Sequence, residues 1–485
     1  MATSPINGTS SIDVNAIVGQ LMQIEARPLT ALAQKEAGIN SRIAAVARVQ
    51  GAVSVLQGAA TRLSQATTWN GARAAVSGEG FTAAVTDSTK AALGTYSIKV
   101  TTLAASPALA SGQFASSAET LGTGTLRLQV GGNPAKDIVI DGTNNTLAGI
   151  RDAINAAGAG VSAALVTDGG QVRLTLIGSA TGAANGIKLT VQETGSTFGD
   201  AVNLDATGLS RLSFDPAVTL TPPATTASGR QMLQTRAAAD AALEVNGLAL
   251  TANSNTVSGA IDGVTLDLKK ASADALTQLT ISRDTAAMSG AVNDFIKAYN
   301  DLDKTIRDVT KFDAGTRRGA ALNGDATVRS LQSAVRGLLR ADQSSVASGD
   351  YARLSEVGIE VNRDGTLSLN SSKFDAATAD PAKLSRLFTA TSDVREEARG
   401  FGVRFKDLTE RLVGSEGALP SRTKSLQAQI ENINEQEERW NLRLQQIEAR
   451  LRRQYTALDA QLAGLQGQSS SLANALAQLP GAAQG

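Results

Sequence analysis

Between Leu426 and Leu465 apolar residues recur at alternating steps of three and four, and this spacing constrains the fold more than any other feature of the chain. With heptad position a at Ile430, Glu437, Leu444, Leu451, Leu458 and Leu465, position d falls on Leu426, Ile433, Trp440, Ile447, Gln454 and Gln461. A helix over Ser421 to Leu465 would be roughly 65 Å long, so it must project or lie along a partner. Its start is expected near Pro420-Ser421, with Ser421 capping free N–H groups. The polar seam positions Glu437, Gln454 and Gln461 have two readings: they fix register and partner number, or they mark a local exit of the seam from the core.

A second helical period runs from Arg27 to about Gln65, through Leu29, Leu32, Ile39, Ile43, Val46, Val49, Val53, Leu56 and Leu63, with Pro28 suited to the first turn. Gly38, Gly51 and Gly58 each cost about 1 kcal/mol against alanine, so this helix needs a partner to persist. The expected assembly seam joins Ile39, Ile43, Val46 and Val53 to Leu426, Ile430, Ile433, Trp440, Leu444, Ile447, Leu451 and Leu458. Up to Asp459 the last helix carries charges of both signs, and beyond it there are none. That uncharged tail, with Leu462, Leu465, Leu472, Leu476 and Leu479 among Gln and Ser, suits insertion among other amphipathic helices. In isolation Gly464, Gly467 and the Ser469 to Ser471 run should leave it frayed.

Between the helical ends the texture is Thr, Ser, Gly and Val. Short alternations such as Tyr96, Ile98, Val100 and Leu126, Leu128, Val130 read as half-buried strands between Gly131-Gly132, Asp141-Gly142 and Asp168-Gly169-Gly170. Thr146-Leu147 opens a short helix with Ile150 and Ile154, followed by a hairpin. A second β patch with Val264, Leu266 and Leu268 is expected to pair with strands near Phe81 to Val100, and 216–229 reads as a linker. Helices return at Met288 to Ile306 and at about Asp325 to Leu339. Asn362-Arg363-Asp364-Gly365 between Ile359 and Leu369 signals a hairpin.

The fold class is therefore α+β and multidomain, with terminal helices forming a coiled-coil or helical-bundle leg and two β-rich head domains inserted between them. The expected divisions are an N-terminal leg at 1–40, largely disordered alone; a helical coiled-coil domain with a β-hairpin at 41–70 plus 287–458; a β-rich head domain at 71–105 plus 233–286; an outer β-rich head domain at 106–232; and an uncharged C-terminal leg at 459–485.

The chain has no cysteine and no histidine, which removes disulfides, thiolate nucleophiles, the usual zinc sites and imidazole acid-base catalysis. Lys plus Arg number 45 and Asp plus Glu number 45, so no global field favours nucleic acid or an anionic membrane. Arg317-Arg318 and the Arg450, Arg452, Arg453 group have acids nearby and read as solvated faces. No stretch is seen to approach the roughly 18 apolar residues of a membrane span, and the first basic residue, Arg27, comes too late for a Sec or Tat signal.

Candidate chemistry has bland explanations. Ser421-Arg-Thr-Lys424 has the spacing of serine acyl enzymes without their companion motifs, and helix capping accounts for it. Gly122-Thr-Gly124 and the glycines around Gly178 do not run from a strand into a helix and read as turns. Asp141-Gly-Thr-Asn-Asn lacks the closing Glu of a calcium loop. Glu396-Glu397 and Glu437-Glu438 are adjacent acids that point apart and cannot flank one bond. No catalytic residue, cofactor or metal site is expected.

Gly8-Thr-Ser-Ser-Ile-Asp-Val-Asn-Ala-Ile-Val-Gly-Gln-Leu-Met-Gln-Ile-Glu-Ala-Arg-Pro-Leu29 resembles the N-terminal segment of the flagellar filament-capping family, hook-associated protein 2. Asp262-Gly-Val-Thr-Leu-Asp-Leu-Lys269, Asp364-Gly-Thr-Leu-Ser-Leu-Asn370, Gly417-Ala-Leu-Pro-Ser-Arg-Thr-Lys-Ser-Leu426 and Tyr455-Thr-Ala-Leu-Asp459 resemble its C-terminal region, and Thr146 to Ile177 resembles a short repeat of hook and filament proteins. The resemblance implies a non-enzymatic, secreted homo-oligomer, a pentamer or hexamer, exported by the flagellar type III apparatus to the filament tip, with β domains as a plate and terminal helices as legs. It implies flagellin, an export chaperone and the hook-filament junction proteins as partners, no nucleic acid and no membrane insertion, and leaves room for a secondary adhesive role. The rival readings are another flagellar axial protein, a flagellin or junction protein, and a secreted adhesin. A carbohydrate-active enzyme is a more distant one.

Overall fold

Helical periodicity at both ends of the chain is realised as packed helices in the computed structural model, which describes residues 13–477 apart from 220–224, 273–274 and 345. In chain order the α-helices are α1 (Val14–Glu25), α2 (Arg27–Ser64), α3 (Ala66–Trp69), α4 (Leu147–Ala157), α5 (Thr285–Thr310), α6 (Ala326–Arg340), α7 (Ser371–Ala377), α8 (Pro381–Thr389), α9 (Phe401–Val413) and α10 (Ala418–Ala477). The chain divides into two compact units, one of Met1–Trp69 with Ala286–Gly485 and one of Asn70–Thr285.

The helical unit is built around α2. Pro28 sits in its first turn, where a missing N–H costs nothing, and Val46, Val49, Val53 and Leu56 are fully buried along one stripe. This corrects the reading of the chain as free of span-like stretches, because α2 contains an 18-residue window of mean hydropathy 1.3, long and apolar enough to cross a membrane. Its apolar stripe lies instead in the unit's core with Phe295, Tyr299, Leu331, Phe401, Phe405 and Leu426.

Helix α9 lies against α2 closely enough to need glycine. A Cβ on Gly402 would come within 2.7 Å of the Leu63 carbonyl carbon and the Ser64 nitrogen, atoms that cannot step aside. Gly402→Ala is therefore expected to destabilise this unit by about 1–3 kcal/mol, read as a lower urea midpoint. An unchanged midpoint would show that the two helices do not approach so nearly.

A helix cap and a hairpin tie further parts of the unit together. Asp325 caps α6, accepting from the Thr327 and Val328 N–H groups. Strands Ile359–Val361 and Leu367–Leu369 pair across the Asn362 to Thr366 loop, where Gly365 has φ +88°. The Tyr299 hydroxyl donates to the Gly365 carbonyl at 2.9 Å, tying this hairpin to α5, and burial raises the phenol's pKa so that it stays a donor.

The β-rich unit holds two cores. In one, an antiparallel five-stranded sheet runs in the order Ala72–Val76, Thr277–Arg283, Gly94–Thr102, Ala241–Val245, Leu248–Ala252, beside a three-stranded sheet of Thr256–Ile261, Val264–Leu268 and Phe81–Val85. Val264, Leu266 and Leu268 point inward and pair with Val85, Ala83 and Phe81, within the region near Phe81 to Val100 where partners were expected. Asn246 and Gly247 both have positive φ, +50° and +82°, as a two-residue hairpin turn requires. In the other core, α4 packs with Leu126, Leu128, Ile138, Ile140, Leu174, Leu176 and Leu189. Its strands are Val161–Asp168, Gln171–Gly178, Ala108–Ala110 and Leu233–Arg236 in one sheet, and Lys136–Ile140, Gly124–Val130 and Ile187–Glu193 in another. Thr146 caps α4, and the Asp141 carboxylate accepts from Thr143 N and Oγ1. Those oxygens close a turn. Within the segment read as a linker, Ala227 bridges to Arg230 and the Gly229 N–H donates to the Leu204 carbonyl at 2.9 Å, while 220–224 lie outside the described residues.

Candidate functional site

The first and last helices of the chain meet in the helical unit, and this pairing is the structure's candidate assembly site. The Asn15 side chain accepts from Arg452 at 2.8 Å, whereas Ile39 and Ile433 line one groove. Rising numbers at the N-terminus thus match falling numbers on α10, so the pair is antiparallel. Of the seam expected on the N-terminal side, Val46 and Val53 are fully buried, Ile39 is 9% exposed and Ile43 is half-buried. On α10, Leu426, Ile433 and Leu444 are buried, and Ile430, Trp440, Ile447 and Leu451 are half-buried.

Beyond Leu451 the single chain does not cover the heptad positions. Gln454, Leu458, Gln461 and Leu465 are exposed, while the more covered positions are Tyr455, Asp459 and Leu462. The covered residues now step by four, four and three from Leu451, as they do where a straight helix drifts away from a strict seven-residue repeat. Of the three polar positions, Glu437 is half-buried and Gln454 and Gln461 are exposed within the single chain. Leu472 is exposed, of Leu476 only its place in α10 is described, and Leu479 lies outside the described residues.

Helix α10 begins at Ala418, before the expected start, with Leu419 fully buried. Ser421 does not cap it: its backbone N–H already donates to the Gly417 carbonyl at 3.0 Å, and its side chain is exposed. The base of α10 is fixed instead by Arg422, which reaches the capping carboxylate of Asp325 at 2.8 Å; Asp325's side chain is only 6% exposed. One carboxylate therefore both starts α6 and anchors α10. No helix break marks the expected divisions at residues 40 and 459, since α2 and α10 run through them.

Another buried carboxylate, Asp303, sits between Arg336 at 2.8 Å and Arg307 at 3.0 Å. Its hydrogen bond raises the Arg336 pKa above the ordinary arginine value, so that cation is permanent. These groups bond to one another and organise the core beneath the hairpin. Among the described residues no group of three or more His, Cys, Asp or Glu could hold a metal ion.

The sequence reading missed two contributors. Helix α9, with Phe401, Phe405 and Leu412 buried, is a principal neighbour of α2, and its apolar spacing was present to be counted. Helix α1, capped by Asp13 and burying Val18, extends the pairing with α10 toward the N-terminus.

Comparison with known proteins bears on the whole chain. Residues 10–107 match the family model described as flagellar hook-associated protein 2 N-terminus, residues 238–467 its C-terminus, and residues 125–179 the flagellin hook IN motif. The chain is 34% identical to the B-type flagellar hook-associated protein 2 of Pseudomonas aeruginosa, over 98% of this chain and 97% of the relative. It is 29% identical to flagellar hook-associated protein 2 of Escherichia coli K12, over 96% of each. Among solved structures, the D1-D2-D3 domains of the Escherichia coli flagellar cap protein FliD superpose with a TM-score of 0.62 at 27% identity, covering 79% of this chain and 99% of that one.

Proposed function

Because this chain belongs to the flagellar hook-associated protein 2 family, we propose that it caps the distal end of a bacterial flagellar filament. In that role it retains exported flagellin and promotes its folding and polymerisation, acting as a structural protein without an enzymatic step. It works outside the cell as a homo-oligomer of five or six copies, reaches the tip through the flagellar type III apparatus in the care of an export chaperone, and first rests on the hook-filament junction proteins.

The observation that carries this reading is the division of α10. Its first half is held in the helical unit by Leu426, Ile433 and Leu444, and its uncharged second half continues past that core with Leu465 and Leu472 exposed at 60% and 65%. A solvent-facing helix with leucines, amides and no charge suits docking among other helices, which is the kind of surface that filament subunits would present. Deleting the gene is expected to leave hooks without filaments and to release flagellin monomer into the medium, scored by electron microscopy and by immunoblot of the supernatant. Filaments of normal length in the deletion strain would end the capping reading.

A further inference from the structure

The antiparallel pair α2 and α10 leaves a groove of about 500 Å³ at its surface, and the lining residues have a regular arrangement: Lys35, Gly38, Ile39 and Arg42 from α2, and Gln429, Asn432, Ile433 and Gln436 from α10. Each set is spaced i, i+3, i+4, i+7, so each is one face of its helix. Ile39 and Ile433 form an apolar floor, and Gly38 has nothing within 4 Å of where a Cβ would stand, which leaves the floor open. Lys35 and Arg42 are exposed on the rim, and among the described residues neither has an ion-pair partner. The α10 side of the rim carries only amides, with Arg443 stacked over Trp440 at 5.0 Å further along the helix. Such a rim suits an occupant that presents acidic side chains, and a helix with an acidic face would lie along it.

Helix α10 has such a face. Glu431, Glu435 and Glu438 are all exposed, and among the described residues only Glu435 is in an ion pair, with Arg439 at 3.6 Å. At about 100° per residue these three acids point roughly 140° away from the groove-lining residues of the same helix. Groove and acidic ridge are thus on nearly opposite sides of one rod, which prevents a copy from filling its own groove and suits a head-to-tail contact between copies.

The axial levels also agree. In an antiparallel pair Lys35 lies opposite Gln436, beside Glu435 and Glu438, and Arg42 lies opposite Gln429, two residues from Glu431. At 1.5 Å per residue each cation is within about 3 Å of the axial level of an acid on the far side of α10. Copies related by pure rotation, with no rise along the axis, would bring these charges together. A head-to-tail contact without rise can close into a ring, whereas one with rise makes an open filament.

We propose that the Lys35/Arg42 groove of one copy receives the Glu431/Glu435/Glu438 ridge of α10 from a second copy, and that this contact closes the rods of the oligomer into a ring. The proposal specifies a partner surface within the oligomer that the capping reading requires. The charge-complementary occupant is this chain itself.

The test uses two full-length variants, K35E/R42E and E431K/E435K/E438K, examined by sedimentation equilibrium over a range of concentrations, with circular dichroism to confirm that both remain helical. All five residues are exposed, so folding should be unaffected. Wild type is expected to self-associate more weakly as salt rises, and each variant alone to associate at least tenfold more weakly than wild type. Mixing the two variants should restore association well above that of either alone, because each contact between unlike variants pairs opposite charges and, in a ring with an odd number of copies, only one like contact need remain. Wild-type chain that stays monomeric, variants that associate normally, or a mixture that fails to recover would each overturn the proposal. Normal association by K35E/R42E with loss of filaments in cells would assign the groove to a filament subunit instead. If association is unaffected while the deletion strain lacks filaments, the contact fails and the capping reading stands.

Discussion

A chain ended at Asp459 is expected to fold as the full chain does and to fail in supporting filament growth. Past Asp459 the side chains described on α10 are exposed except for half-buried Leu462, so little packing is lost with them. Gly464 and Gly467 lower the helix propensity of that stretch, and neither would bring a Cβ against any neighbour. The thermal midpoint should therefore stay within a few degrees of the full chain's, as for other changes confined to the surface. What the truncation removes is the uncharged leucine- and glutamine-bearing surface proposed to dock in the filament. Complementing the deletion strain with the truncated gene and counting filaments checks both halves of the expectation. Full motility would take the tail out of the capping mechanism, and a collapsed midpoint would show that α10 needs its tail to fold.

The largest effect on stability is expected at Trp69. Its ring is fully buried, stacks on Phe388 with centroids 4.4 Å apart and planes 10° from parallel, and its indole N–H donates to the Leu63 carbonyl at 2.8 Å. It therefore pins the end of α2 to α8. Trp69→Ala leaves a cavity and an unpaired carbonyl, at a cost of about 3–5 kcal/mol. Set against a total stability of about 5–15 kcal/mol, that is enough to unfold a large fraction of the helical unit under mild denaturant. Trp69→Phe keeps the stack, loses the hydrogen bond and should cost less. Trp440, the other tryptophan, is half-buried on the seam and reports the transition by fluorescence in both variants. A midpoint unmoved by Trp69→Ala would mean that α2 and α8 are held together elsewhere.

The ends of the chain were legible because their physics is local and periodic. Val46, Val53, Leu426 and Ile433 announce a buried stripe wherever their partners come from, and Thr146 and Asp325 announce helix starts through caps that need only the next few residues. The hairpin at Asp364-Gly365 was visible for the same reason, since the positive φ at Gly365 restricts the residue type. Beyond Leu451 the covered positions within the single chain depart from the heptad count, because an unbroken count assumes a supercoiled partner along the whole helix, whereas the helix there keeps a straighter period. The true start of α10 was also hidden. Ser421 looks like a cap, but the buried Leu419 and the long-range Arg422 to Asp325 contact place the first turn earlier. Pairing of α2 with α9 depends on Gly402 meeting the Leu63-Ser64 backbone, a fit between distant segments that no local pattern encodes.

The antiparallel pairing of the first and last helices also sets an order of events in time. The strands of the β-rich unit find their partners within residues 70–285, so that unit can complete itself once those residues are available. Helix α2 cannot do so, because it lacks α9 and α10 until nearly the whole chain has emerged and is weakened by Gly38, Gly51 and Gly58. Closing so long a loop adds only slowly to the entropic cost, so delay rather than stability is the penalty. During that delay the apolar stripe of α2 lies open to wrong partners. A chain interrupted before α10 would carry a finished β-rich unit and an unfinished helical one, so the fold itself distinguishes a chain that has α10 from one that lacks it.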